Sequence, residues 1–510
     1  MKTYSLTLTT WIAAFGLVVA TFVAPQIANA KVYTPDFDSV VLTGQPVIGF
    51  SLSERGSEAG AYSEIFLAEV TSKTDNSATS SVWTTCPEFG QYPCDQQTLN
   101  RTKSEVLGFL VMPACERASS ENCIESLQVY KVGDDPVDAS YLGEAPGISI
   151  PANSSVGIPR SSMPSLWKAE GLNHLGGQDT YAVQFLQEIE IKAGKLSFDF
   201  LSVTVMPYTE LADPSAKTIS TVESTDSKGR EIFRNESNLQ GNAWVGDGVR
   251  GELENFAPDT RVSVTIRAPK AHAGWFKGRI SKPDIAIKSF NARNNRITVD
   301  ASVVEVPRIA AAVTLDQWTP ALSEIWERGK KFLEDGQSGS VGSSVEDNSK
   351  WVKALTRAAN DTAAGTSTVW NYSTLPSWAR GNSPCLSDSS RVIGVVSTNA
   401  AVYDGKAPLF RNGFLNYEVS GMHYLPDGTT KARGSYDLVI RSDVARCLYG
   451  FPKAPLSATV QVVNEKGNKT FATSVVGEKN GWLKLGAYNF TFSNKVVKVK
   501  ITRAKKVKGN

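Results

Sequence analysis

Two glutamates separated by one residue are the strongest acid–base candidates in this sequence. Glu188 and Glu190 alternate with Ile189 and Ile191, so a strand here places both carboxyl groups on one face. Asp199 follows on the next predicted strand. Paired carboxylates can cleave a glycosidic bond, one protonating the leaving oxygen while the other attacks or activates water. No acidic signature surrounds the pair, so the pattern favours a solvated strand face over a catalytic site.

Aromatic residues near glycines or in predicted loops form a second group of candidates. They are Trp244, Trp275, Trp370, Tyr372, Trp378 and Trp482. Flat rings at a surface stack on sugar faces or pack against a partner protein. We select Trp275, Arg279, Trp378 and Trp482 as candidate binding residues. Tryptophans in β domains are usually core residues, however, and most of the aromatic group is expected to be buried.

The remaining signals for chemistry are weak. The three histidines, His174, His272 and His423, are scattered without the spacing of metal ligands, so each is predicted to be a loop or surface residue. The sequence has no Gly-X-Ser-X-Gly elbow, Walker loop, dinucleotide fingerprint or His-Glu-X-X-His motif. We therefore predict no metal, no other cofactor and no evident catalytic site.

The six cysteines predict disulfides rather than a metal site. Cysteines close in sequence meet most easily, which favours the pairs Cys86–Cys94, Cys115–Cys123 and Cys385–Cys447. Zinc is the alternative, but structural zinc sites space their ligands about two to four residues apart and usually include histidine. Disulfides are typical of an oxidising compartment.

The first 30 residues have the composition of an export signal. Lys2 supplies a positive charge, residues 11–24 form an uncharged and mainly apolar run, and Ala28-Asn29-Ala30 offers a cleavage site. An uncleaved anchor is the alternative, but the run is shorter than the roughly 20 residues that span a bilayer. We expect a secreted protein with no transmembrane segment after signal removal, loosely attached to the cell wall in one interpretation. The net charge of +2 gives no reason to expect a nucleic-acid partner.

Period-two alternation of apolar residues predicts that the elements carrying these candidates are mainly strands. The predicted fold is mostly β, with several antiparallel β-sandwich-like domains. The predicted segments are a signal peptide over 1–30, a disulfide-stapled β domain over 31–143, a second β domain over 144–310, a helical connector over 311–375 and a C-terminal sandwich with a basic tail over 376–510. The last domain is compared with an immunoglobulin fold, although no tryptophan lies between Cys385 and Cys447.

Two short helices are expected in the connector. Thr319-Pro320 predicts the start of the first, because threonine caps a helix and proline is tolerated at its first position. Ser344 is the predicted cap of the second. At the C-terminal end, residues 495–508 are rich in lysine and contain no acid. They predict an edge strand protected by charge, with attraction to an anionic wall polymer as the alternative.

Several short segments resemble uncharacterised secreted proteins of actinobacteria. They are Cys115, Asn122-Cys123-Ile124-Glu125-Ser126-Leu127, Trp275-Phe276-Lys277-Gly278-Arg279, Ser397-Thr398-Asn399-Ala400, Gly434-Ser435-Tyr436-Asp437-Leu438, Ala445-Arg446-Cys447-Leu448-Tyr449-Gly450 and Gly481-Trp482-Leu483. The resemblance implies an extracellular Gram-positive setting and brings no assigned activity.

The expected function is binding or adhesion outside the cell, with cell-wall polysaccharide or another surface protein as the partner. A secreted polysaccharide hydrolase that uses Glu188 and Glu190 is the first alternative. A structural spacer of the cell envelope is the second.

Overall fold

The structure is a computed structural model that describes most of the chain beyond residue 103 and several strands before it. The described residues are 40–41, 46–53, 64–70, 81–85, 104–145, 149–154, 157–192, 195–210, 221–225, 231–235, 242–243, 251–376, 379, 381–388, 390–450, 456–464, 469–470, 473–492 and 495–503. The predicted signal segment 1–30, Cys86, Cys94, Trp244 and Trp378 lie outside them.

Strands dominate the described chain, as the alternation predicts. The first are β1 (Val40–Val41), β2 (Val47–Ser53), β3 (Glu64–Val70), β4 (Ser81–Thr85), β5 (Ser104–Val111), β6 (Cys123–Lys131), β7 (Val137–Asp138), β8 (Ser140–Glu144), β9 (Ser165–Lys168), β10 (Thr180–Lys192), β11 (Lys195–Glu210), β12 (Thr221–Thr225), β13 (Glu231–Asn235), β14 (Asn242–Ala243), β15 (Gly251–Leu253), β16 (Thr260–Pro269) and β17 (Gly274–Arg279).

The later strands and the helices follow in chain order. The strands are β18 (Ser281–Ser289), β19 (Asn294–Ser302), β20 (Val304–Arg308), β21 (Ala310–Thr314), β22 (Gly339–Ser344), β23 (Gly365–Thr374), β24 (Val392–Thr398), β25 (Val402–Tyr403), β26 (Leu409–Arg411), β27 (Phe414–Ser420), β28 (Arg433–Arg441), β29 (Leu456–Asn464), β30 (Lys469–Thr470), β31 (Thr473–Lys479), β32 (Trp482–Thr491) and β33 (Lys495–Arg503). The helices are a 3-10 turn (Leu315–Gln317), α1 (Pro320–Ile325), α2 (Gly329–Glu334), α3 (Ser349–Leu355) and α4 (Ser442–Tyr449).

One large sheet organises the described part of the chain. It has 16 strands, and its main path runs β31-β32-β28-β24-β17-β23-β11-β10-β5-β3-β4. Its pairs are antiparallel except for β17 with β24, which run parallel. A five-stranded sheet, β18-β19-β16-β6-β7, and a six-stranded sheet built around β25-β27-β33-β29-β30 supply further layers. This architecture confirms the mostly β, multi-sheet fold class.

The central strands of the large sheet are buried on both faces. Trp275 and Leu438 belong to a core shared with the six-stranded sheet, whereas their neighbours Phe276 and Val439 belong to a core shared with the five-stranded sheet. Successive residues of a strand point to opposite faces, so one strand contributes to both cores. This double burial explains why β24 is an almost continuous apolar run rather than an alternating one.

The outer sheet of the C-terminal sandwich shows the simple alternation. Leu415, Tyr417 and Val419 on β27 are buried, and the first two pair with the buried Val499 and Val497 of β33. The face predicted from the sequence is therefore confirmed. β33 lies between β27 and β29, so the prediction of a C-terminal edge strand is wrong. Val497, Val499 and Ile501 of β33 are buried on one face, whereas Lys498 and Lys500 alternate with them on the other.

The sheets cross the predicted domain boundaries. Val111 pairs with Leu186, Leu127 pairs with Val264, and Phe276 of β17 pairs with Val395 of β24. The described sheets therefore do not divide at residue 143, 310 or 375. Shifts in composition indicate where loops lie along the chain, but they do not indicate which distant strands pair.

The predicted helical connector is right at its start and wrong at its second cap. Thr319 caps α1 by accepting a hydrogen bond from the backbone N–H of Leu322 at 3.4 Å. Ser344 does not begin a helix, because it ends β22, which pairs parallel with β2. Leu322 of α1 and Trp351 of α3 are buried in the core with the six-stranded sheet. The helices are thus part of a core rather than a connector between domains.

Two of the predicted disulfides are confirmed, Cys115–Cys123 and Cys385–Cys447. Cys447 lies on α4 and Cys385 lies in a turn, so neither member of the long-range pair is on a strand. The immunoglobulin pattern instead joins two strands of opposite sheets. None of the described helices has the length and apolar character to cross a membrane.

Candidate functional site

A cavity of about 660 Å³ lies where α3, β25, β27 and β33 meet. Its polar lining includes Asp347, Ser349, Lys353, Asn382, Asp404, Lys406, Glu418 and Lys495. Pockets of this size hold small organic ligands, and a few polar groups in such a lining fix the orientation of the ligand. The cavity is therefore the candidate site.

Two aspartates from distant parts of the sequence meet at this cavity. Asp347 follows β22, and its backbone N–H donates to the carbonyl of Tyr403 at 2.9 Å. Asp404 follows Tyr403, and its own N–H donates to the carbonyl of Glu418 at 3.0 Å. Asp347 has a φ of 57°, in the left-handed region that glycine, asparagine and aspartate adopt more readily than other residues. These backbone contacts bring the two carboxyl groups together.

Asp404 holds a proton more strongly than an ordinary aspartate does, because it is buried beside the charge of Asp347. Burial, then the charge of Asp347 and a hydrogen bond to it, raise the pKa of Asp404 from 3.8 to about 7. Lys406 opposes this shift in pKa and forms an ion pair with Asp347 at 3.3 Å. At neutral pH Asp404 can therefore donate or accept a proton, or hydrogen-bond a hydroxyl group of a ligand.

Two buried cations on β17 hold these acidic segments in place. Lys277 forms an ion pair with Glu346, the residue before Asp347. Arg279 is fully buried, and its guanidinium lies 4.4 Å from the ring centre of Tyr403. The same guanidinium donates to the carbonyl oxygens of the loop that precedes Tyr403, including that of Thr398 at 3.2 Å. Arg279 therefore fixes the position of Tyr403, whose side chain forms part of the cavity wall.

These contacts correct the prediction that Trp275 and Arg279 bind a ligand at the surface. Trp275 is 0 % exposed, and its indole N–H donates to the carbonyl of Leu386 at 3.0 Å. Trp482 is 9 % exposed, and Trp370 and Tyr372 are also buried. These rings pack in the two cores that cover the faces of the large sheet. The local sequence does not show that this sheet is covered on both faces. Trp244 and Trp378 lie outside the described residues.

The glutamates of β10 occupy the position that the sequence predicts. Ile189 and Ile191 are buried in the core, so Glu188 and Glu190 project from the other face and are half-buried. Burial, followed by the charges of Asp199 and Glu190, raises the pKa of Glu188. Asp199 lies at a β-bulge opposite Glu188. The charges of Asp199 and Glu190 therefore act on Glu188, and a catalytic role for Glu188 and Glu190 stays a prediction.

All three histidines lie in loops, as the sequence predicts, although two of them are not at the surface. His174 and His272 are buried, and burial lowers the pKa of His272 to about 3. His423 is partly exposed, and its Nδ1 lies 2.6 Å from a carboxylate oxygen of Asp361. Among the residues that the structure describes, no three histidine, cysteine or acidic side chains group as metal ligands.

Sequence reasoning missed the cavity. Asp347 and Asp404 stand in different predicted segments, and the Asp404-Gly405 turn signal is common. The alternating cations Lys277 and Arg279, in a strand otherwise lined by apolar and glycine residues, were the available signal of a buried polar network. The chain matches no protein-family profile, no curated protein and no solved structure.

Proposed function

We propose that this is a secreted binding protein of the cell surface, and that it holds a small polar ligand in the cavity beside Asp404. The export-type N-terminus and the two disulfides of the described chain support an extracellular location. The observation that carries the binding proposal is the cavity itself, in which the pair of aspartates, one of them with a raised pKa, faces several lysines.

The composition of the lining indicates the kind of ligand that the cavity suits. Polar groups in a binding pocket fix the orientation of the ligand through hydrogen bonds. Here acidic, basic, amide and hydroxyl side chains converge from α3, β27, β33 and the loops near β25. Such a set suits a ligand rich in hydroxyl groups, and cell-wall polysaccharide is the proposed source of it.

A cavity-filling substitution tests this proposal. Ser349→Trp places a large ring at the start of α3, where it occupies the cavity. The matched control is Ser289→Trp on the exposed end of β18. We expect the mature wild type and the control to be retained by washed Gram-positive cell walls and to give a glycan-array signal, whereas Ser349→Trp loses both. Equal retention of all three proteins, or retention of none, overturns the proposal.

A secreted polysaccharide hydrolase is the second candidate, and the face around Glu188 favours it. Glu188 pairs with Phe109 of β5, whose ring is 37 % exposed. An exposed aromatic ring beside a carboxyl group with a raised pKa suits a sugar and a general acid. The test is release of reducing sugar from wall polysaccharide, abolished by Glu188→Gln and retained by the exposed control Glu305→Gln. Absence of release by the wild type rules this candidate out.

A further inference from the structure

Lys495 is a buried cation at the edge of the cavity. It begins β33, and its backbone pairs with Val419 on one side and Asn464 on the other. Its side chain shares the inward face with Val497 and Val499, which are fully buried, and it is only 7 % exposed. It nevertheless lines the cavity. The side chain of Lys495 therefore contributes a positive charge to the lining of the cavity.

Within the described chain, no ion pair or hydrogen bond involves the Lys495 ammonium, and burial alone accounts for its shift in pKa. The other cavity lysines differ, because Lys406 pairs with Asp347 at 3.3 Å and Lys353 also has a partner. A largely buried cation without a counter-charge is unfavourable, since burial removes part of its water and no protein charge replaces it. Burial accordingly lowers the pKa of Lys495. An anion bound in the cavity would compensate for this loss.

The surrounding charges select the kind of anion. A single lysine supplies one positive charge and three donors, which match a monovalent carboxylate. A phosphate dianion would meet repulsion from Asp347 and Glu418, with no second unpaired lysine among the described lining residues to offset it. The aspartate pair suits hydroxyl groups elsewhere on the same ligand.

We propose that the cavity binds a small hydroxylated carboxylate, such as a sugar acid, with its carboxylate against the ammonium of Lys495. The inference rests on the proposed binding function and specifies the chemical class of its ligand.

Calorimetric titration at pH 7 with D-galacturonate and with neutral D-galactose tests this assignment. The variants are Lys495→Met, Lys495→Arg and the control Lys500→Met, which changes an exposed lysine on the opposite face of the same strand. We expect the wild type and Lys500→Met to bind galacturonate at least about tenfold more tightly than galactose. Lys495→Met should lose that preference, and Lys495→Arg should keep most of it.

The possible outcomes separate this inference from the proposal beneath it. Equal affinity for both sugars in the wild type, or an unchanged preference in Lys495→Met, overturns the role of Lys495 while leaving cavity binding intact. No heat with either sugar in any variant also overturns the carboxylate assignment. If Ser349→Trp in addition keeps full retention by cell walls, the cavity is not the binding site at all.

Discussion

The aspartate pair predicts a specific dependence of stability on pH. In the folded protein Asp404 keeps its proton up to about pH 7, because it is buried beside the charge of Asp347. In the unfolded chain the same carboxyl group titrates near 3.8. Asp404→Asn removes this titration while it preserves the size of the side chain. The substitution therefore isolates the contribution of one proton.

The sign and the size follow from proton linkage. Between pH 3.8 and about 7 the folded state holds a proton that the unfolded state has lost, so the free energy of unfolding falls as the pH rises through this window. At about 1.4 kcal/mol for each tenfold difference in proton affinity, the upper limit is about 4 kcal/mol. Asp404 borders an open cavity where solvent screens its charge, so we expect a loss of about 2 kcal/mol.

Urea unfolding followed by tryptophan fluorescence at pH 4 and pH 8 measures this loss. The wild type should lose about 2 kcal/mol more than Asp404→Asn between the two pH values. The control Asp135→Asn, at an exposed turn, should follow the wild type. Asp347→Asn should remove part of the dependence, because it removes one cause of the shift. Parallel pH profiles for the wild type and Asp404→Asn would refute the raised pKa of Asp404.

Three further predictions address the stability of the fold. Gly394→Ala should destabilise the protein by about 1 to 3 kcal/mol, because the new Cβ would lie 2.6 Å from a backbone oxygen and 2.7 Å from a tryptophan ring. The control Gly477→Ala should leave the stability unchanged, because open space surrounds Gly477. Urea unfolding compares the two variants. Asp437→Asn should flatten the fall in stability between about pH 4 and 6, because burial raises the pKa of Asp437 to about 6; unfolding at pH 4 and pH 7.5 reports it. Replacing Cys385 and Cys447 by alanine should cost about 4 kcal/mol, measured by urea unfolding without reductant.

Local features of the sequence predicted local features of the structure. Three such features were predicted from residues close together in the sequence or from the pairing of cysteines. They are the buried face formed by Leu415, Tyr417 and Val419, the threonine cap of α1, and the two described disulfides. The predicted carboxylates of β10 are also placed correctly, because a strand fixes which neighbours share a face. Where a structural feature depends on one face of a strand or on one turn, the residue types were sufficient to predict it.

Long-range pairing was the information that the sequence lacked. The segment ending at Ser344 was predicted as a helix start, but β2, almost three hundred residues earlier along the chain, recruits it as a strand. Trp275 was predicted to bind a ligand because it follows a glycine, yet β17 is covered on both faces by sheets from other regions. Propensity and turn signals do not encode these tertiary partners, which override them.

β17 explains both why Trp275 is not a surface binding residue and why the cavity forms where it does. β17 places Trp275 in a core and, on the same side two and four residues later, Lys277 and Arg279. A core cannot hold these cations without partners, so Glu346 and the carbonyl oxygens before Tyr403 are drawn against them. Because Asp347 and Asp404 adjoin those partners, satisfying the buried cations also brings the two aspartates together. The cavity thus depends on charges buried beneath it, and Arg279 acts through the residues it positions rather than through a ligand.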